Sequence, residues 1–202
     1  MKKIIAFTLI IFLGAAVYGQ NKGDQAVYVN WNFGPTINNH FVSNFSARGA
    51  SVGYSTFVMD NLAIGGEFGW NNYYKYSAKQ TYQFKDGAVT TDMYKYIFTV
   101  PVTATVTKYF KTGKKVYPYG KLGLGAQYSE QNLYYNIYQT THNDWGFVAV
   151  PEVGANIKFD RMRQWCFNAG AQYKYATNKA TEYNIKNLQS FNFSLGITWQ
   201  IN

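Results

Sequence analysis

Along most of its length the chain alternates between one bulky apolar residue and one small or polar residue. In the last stretch Phe191, Phe193, Leu195, Ile197, Trp199 and Ile201 share one face of an extended strand, and Asn192, Ser194, Gly196, Thr198 and Gln200 share the other, because successive side chains of a strand point to opposite sides. The same two-residue period recurs upstream. It predicts strands from Ala26 to Gly34, from Arg48 to Met59, and from Leu62 past Trp70, the last continuing through Tyr74 and Tyr76 toward Tyr82 and Phe84. A returning strand puts Tyr94, Tyr96, Phe98, Val100, Val102, Ala104 and Val106 on one side, and further strands run over Val116 to Tyr128, Trp145 to Phe159 and Trp165 to Tyr175. Pro35 is expected to stop the first strand, and Pro101 to be a local defect in the fourth that a bulge could absorb.

Turn residues punctuate these strands. Asp60-Asn61, Phe110 to Lys115 and Asp160 to Arg163 read as short connections, whereas Thr36 to Ser46, Ser129 to Asn143 and Ala176 to Asn187 read as longer loops, the second with a Tyr134 to Tyr138 core able to prolong its hairpin, and Lys85-Asp86-Gly87 reads as the turn of a projecting hairpin. Eight strands result, with connections alternating long and short from one end to the other.

The bulky face decides where such a sheet resides. A water-soluble barrel turns its large side chains inward and covers its outside with Lys and Glu, but here the opposite face carries Gly, Ser and Asn. Apolar residues toward lipid and small polar ones toward a narrow lumen fit better. With no free edge permitted in hydrocarbon, the eighth strand is expected to pair with the first. Ser194, Gly196, Trp199 and Ile201 occupy the places of the assembly signal of a closing strand, polar, Gly, hydrophobic and aromatic, with Ile201 where an aromatic is usual and Asn202 after it. On these residues and this pattern the chain resembles the small eight-stranded outer-membrane barrels, the OmpA/OmpX-like class. The resemblance implies an all-β, antiparallel up-and-down transmembrane β-barrel with short periplasmic turns and long extracellular loops. It implies, too, a protruding sheet from which adhesion or defence would follow, with barrel-assembly machinery as a partner and an extracellular protein as another, engaged through the loops.

The N-terminus and composition fit that address. Lys2 and Lys3 precede an apolar run from Ile4 to Val17, which reads as a signal peptide over residues 1–19, leaving one barrel domain over 20–202. Aromatic residues make up 19% of the chain, including 19 Tyr, and rings favour the boundary between lipid and water. The net charge of +9 comes from scattered Lys and Arg, so outer-membrane lipid and lipopolysaccharide are the expected counter-charge and nucleic acid is not. Cys166 is the single cysteine and reads as a small lumen residue rather than a nucleophile.

Candidate functional residues are few. Glu67, Lys121 and Glu152 fall on inward positions at similar depth and are expected to form a lumen ion network, since a lone charge there would be costly. Arg48, Lys75, Lys79 and Lys174 are expected near the outer mouth, as contacts to lipopolysaccharide phosphates. His40 and Ser43 in His-Phe-Val-Ser-Asn44, and His142 beside Asp144, only loosely resemble the motif of lipid A deacylases, so catalytic residues, cofactor and metal are all expected to be absent. An eight-stranded interior accommodates its own side chains and little more. The expectation is therefore a filled, monomeric barrel with a structural or surface-interaction role, with a small-solute channel as the alternative and a lipid A-modifying enzyme behind it.

Overall fold

The computed structural model describes residues 22–84, 87–110, 115–159 and 164–201; the signal-peptide reading, the turn residues Lys85 and Asp86, most of the basic turn and the Asp160 to Arg163 turn lie outside them. Nine strands follow one another: β1 (Gln25–Ile37), β2 (Phe45–Ser46), β3 (Gly49–Met59), β4 (Leu62–Phe84), β5 (Gly87–Tyr109), β6 (Val116–Tyr135), β7 (Tyr138–Lys158), β8 (Trp165–Ala176) and β9 (Leu188–Ile201). Consecutive long strands pair antiparallel, and β9 returns to β1 in a ladder from Gln25↔Ile201 to Ile37↔Gln189. The two-residue β2 only flanks β1 at Gly34 and Pro35. The remaining eight close into an up-and-down barrel.

The two-residue period places the large side chains outside. Val29, Trp31, Phe68, Val102, Phe147 and Ile197 are exposed, while Asn30, Ser51, Thr103, Asn156, Asn168 and Ser194 are buried. Glycine marks where the wall curves most tightly. At Gly196 on β9, a Cβ would lie 2.1 Å from the Val29 carbonyl oxygen of β1 and 2.2 Å from Asn30 Oδ1, so the closing seam is sterically reserved for a residue without one.

Strand lengths divide the barrel into two unequal sides. β1, β3, β8 and β9 have 13, 11, 12 and 14 residues, close to the roughly 9–11 that a tilted strand needs to cross hydrocarbon. β4, β5, β6 and β7 have 23, 23, 20 and 21. These four must therefore stand well beyond the membrane as one continuous sheet.

Several local expectations change. Pro35 does not end β1: the ladder to β9 skips Gly34 and Pro35, then resumes in the same register at Thr36↔Ser190, so the missing N–H costs a local pairing and not the strand. Pro101 needs no bulge. Its register with β6 is unbroken, and Gly69 leaves room for the ring, since a Cβ there would come within 2.9 Å of Pro101 Cγ. The irregularity sits instead between Ser77 and Gln80 of β4. It moves Tyr82 opposite Val89, onto the face of Thr91 rather than the face of Tyr74 and Tyr76. Finally, Ser129 to Asn143 is strand rather than loop, paired from Ser129↔Asp144 to Tyr135↔Tyr138 around Asn136, whose φ is 51°. The β-favouring residues Tyr134, Tyr135, Tyr138, Thr140 and Thr141 keep both arms extended.

Replacing Gly196 with Val should reduce stability by about 3 kcal/mol, the upper end for an overpacked site. The check is the midpoint of urea unfolding of refolded protein in detergent micelles, expected to fall well below that of a Thr198→Val control.

Candidate functional site

At mid-barrel the inner wall brings an ion cluster together. Lys121 of β6 places Nζ 2.6 Å from Glu67 Oε2 of β4 and 2.8 Å from Glu152 Oε2 of β7. Two tyrosines complete it. Tyr28 donates its hydroxyl to Glu67 Oε2 at 2.9 Å, and the Tyr119 hydroxyl donates to Glu152 Oε1 at 2.6 Å and lies 3.1 Å from Asn168 Oδ1. Lys121 Nζ also lies 5.0 Å from the centre of the Tyr28 ring. Removing such charges from water is expensive unless each is paired and hydrogen-bonded, and each carboxylate here meets both an ammonium group and a phenol.

Glycine makes room for the phenols. Tyr28 stands opposite Gly53, and Tyr119 opposite Gly154; a Cβ at Gly53 would overlap the Tyr28 ring at 2.2 Å, and one at Gly154 would come within 2.6 Å of the Tyr119 hydroxyl. A ring across from a glycine on an inward face is a pattern present in the sequence. Its significance depends on register, so these two tyrosines went unnoticed there.

Apolar clusters lie above and below this layer. Near the chain termini Ala26, Phe57, Ala63, Tyr109 and Tyr119 pack together. At the far end Phe41, Val42, Tyr73, Ile97, Val148, Val150, Ile185 and Leu188 do so, and three of these, Phe41, Val42 and Ile185, come from the connections following β1 and β8. These connections are fastened down. Thr36 donates its hydroxyl to the Val42 carbonyl, Asn178 donates to the Gln127 and Asp144 carbonyls at 3.0 and 2.9 Å, and Phe41 stacks on Tyr183 at 4.5 Å. Burial, with Glu182 beside it, raises the Tyr183 hydroxyl above its ordinary value.

The residues expected to meet lipopolysaccharide separate. Lys174 is not at the rim: it is 5% exposed, lies inside the barrel, and lines a void of about 10 Å³ with Thr36, Tyr73, Gln127 and Ser190. That volume is near the minimum for one water. Its strand parity turns it inward, where it adds a second ammonium group to the field of Glu67 and Glu152. Lys75 sits opposite Lys95 on the inner face, shared with Tyr73 and Ile97. Arg48 and Lys79 are exposed. Ser194 is buried, Gly196 closes the seam, Ile201 pairs with Gln25, and Trp199 stacks on Trp165 with ring centres 6.0 Å apart. His40 and Ser43 are exposed on the connection after β1, and His142 Nε2 lies 3.0 Å from the Lys179 carbonyl.

A closed antiparallel ring with apolar residues outside, polar ones inside and aromatic residues toward both ends is a transmembrane β-barrel, since only a sheet without edges satisfies its backbone in lipid. The chain belongs to the family of the outer membrane protein beta-barrel domain, whose model matches residues 5–198, and so it is an outer-membrane protein. Neisserial surface protein A has the same fold, with 16% identity, 88% of this chain and 99% of that one covered, and a TM-score of 0.51. Ail of Yersinia pestis, solved in complex with the heparin analogue sucrose octasulfate, is 14% identical over 89% and 99% of the two chains, with a TM-score of 0.49. OprG of Pseudomonas aeruginosa is 12% identical over 91% and 98%, with a TM-score of 0.45. No curated protein matches the chain.

Replacing Lys121 with Met should destabilise the barrel by about 3 kcal/mol, because Glu67 and Glu152 would remain buried without their shared cation. Thermal unfolding in lipid vesicles checks this. The triple variant Glu67→Gln, Lys121→Met, Glu152→Gln is expected to regain most of the loss.

Proposed function

We propose that this chain is a filled outer-membrane barrel whose working surface is the β4–β7 sheet standing beyond the membrane, with a surface-interaction role of the adhesion or defence type. The observation that carries this reading is the lumen. Lys121 ties three strands together, and an apolar cluster lies on either side of it, which supports a filled interior over an open channel. The sheet, by contrast, extends four strands past the length the membrane requires, and its Tyr, Thr and Gln side chains suit protein recognition. Of the cations expected to meet lipopolysaccharide phosphates, Arg48 and Lys79 keep that role in the proposal, since both are exposed. Ser194, Gly196, Trp199 and Ile201 would present the closing strand to the assembly machinery, and the mature protein would work as a monomer without cofactor or catalytic residues.

The test is conductance. Purified protein in planar bilayers should give no stable unitary current, and discrete, reproducible channel openings would make the small-solute channel the correct reading. Lipid A mass spectra from cells with and without the protein should be identical; a shift of one acyl chain would assign the protein to lipid modification.

A further inference from the structure

The outward face of β4, β5 and β6 carries a three-by-three grid. Cross-strand pairing sets Asn72, Phe98 and Glu130 in one row, Tyr74, Tyr96 and Asn132 in the next, and Tyr76, Tyr94 and Tyr134 in the third. Directly below, Val100 pairs with Tyr128 and Tyr128 with Trp145, an apolar and aromatic row that continues down into Val102, Ala104 and Val106. Glu130 is the first outward charge above it on β6, so the grid begins where hydrocarbon ends and lipid headgroups start.

Among these side chains lies an open depression of about 620 Å³, lined by Asn72, Tyr94, Tyr96, Phe98, Glu130, Asn132 and Tyr134. The rings contact one another without filling it. Tyr74 and Tyr96 lie 5.0 Å apart, Tyr76 and Tyr94 5.0 Å apart, and Tyr134 stands edge-on to Tyr96 at 5.8 Å. The polar groups are held in place: Asn132 donates to Glu130 Oε1 at 2.5 Å, and Thr141 donates to Asn132 Oδ1 at 2.6 Å. A carboxylate accepts about four hydrogen bonds, so Glu130 retains acceptor capacity toward the depression.

We propose that this depression binds the sugar headgroup of an outer-leaflet glycolipid, the sugar ring lying on Tyr94, Tyr96 and Tyr134, its hydroxyls donating to Glu130 and accepting from the Asn132 amide. The inference rests on the outer-membrane reading above and adds the ligand class and the residues. Chemistry selects the occupant. An acyl chain would leave Asn72 Oδ1 and the remaining acceptor capacity of Glu130 unsatisfied, and a phosphate would be repelled by Glu130. A peptide strand would add along the edge of β4 beyond Asn71, where the pairing with β3 ends, whereas the depression centres on β5 and β6, and β5 is paired on both sides. A sugar offers apolar C–H faces to rings and hydroxyl donors to a carboxylate, and the depression is continuous with the lipid-facing band, so a headgroup reaches it without leaving the membrane.

The experiment uses full-length mature protein in phosphatidylcholine nanodiscs doped with equal parts of a neutral glucosyl diacylglycerol and phosphatidylglycerol, with retained lipids counted by native mass spectrometry. The wild type should retain the glucosyl lipid over phosphatidylglycerol. Glu130→Gln and Tyr96→Ala should each reduce that enrichment about ten-fold, the loss of one hydrogen bond to a charged group or one stacking face. Both residues lie on the outer surface, and heat-modifiable migration on a detergent gel confirms that the variants are folded. Equal enrichment in wild type and variants would overturn the proposal, as would preference for phosphatidylglycerol. A dimer lost in Tyr96→Ala would give the face to a second copy of the chain, and equal binding of free maltose would give it to a soluble glycan; either result overturns it. None of these outcomes bears on conductance, so the filled-barrel reading stands or falls separately.

Discussion

A peptide group left unpaired in hydrocarbon costs several kcal/mol, and the barrel is the consequence of that one cost. The chain has strands that suit lipid on one face, and strands can enter lipid only as a ring. Closure of β9 on β1 satisfies the last row of donors and acceptors. It also fixes which side is inside, and the ring of eight strands fixes how much room is there. The exclusion of a side chain at Gly196 belongs to the same event, because the seam brings Val29 and Asn30 against that position.

A narrow interior creates a second problem, which the sequence meets with polar groups in matched sets. Small Asn, Ser and Thr side chains fit the lumen, but Glu67 and Glu152 enter it as charges. Lys121 answers both, the phenols of Tyr28 and Tyr119 answer one each, and glycines across the strand make space for those rings. Apolar clusters lie on both sides of the polar layer, and ion pairs in such low-dielectric surroundings are stronger than in water.

On that sheet the alternation continues past the membrane, but its meaning changes. Below the row of Val100, Tyr128 and Trp145 an outward residue faces acyl chains. Above it the outward residue faces headgroups and water, and there Glu130, Asn72 and Asn132 appear between tyrosines. The inner face of the same strands is covered by the connections after β1 and β8, which Asn178, Thr36 and the Phe41–Tyr183 stack hold down. One set of four strands thus serves as barrel wall, lid support and exposed surface in succession.

Strand parity could be read directly from the sequence because a period of two is a local property, and it placed Glu67, Lys121 and Glu152 on the inner face of their strands and the large rings outside. The meaning of Pro35 and Pro101 could not, because a missing N–H matters only through the strand opposite it. The arms around Asn136 read as a loop because outside lipid both faces of a strand can be polar, which erases the alternation. The slip between Ser77 and Gln80, which turns Tyr82 over, leaves no local mark at all. The inward parity of Lys174 could be read along its strand, but its burial against Thr36, Tyr73, Gln127 and Ser190, away from the outer rim, depended on the strands around it. The sequence by itself determined the alternation, and with it the side of each strand that meets lipid. Register, depth and the neighbour across the lumen were decided only by the closed ring, because they depend on pairings between residues far apart in the chain.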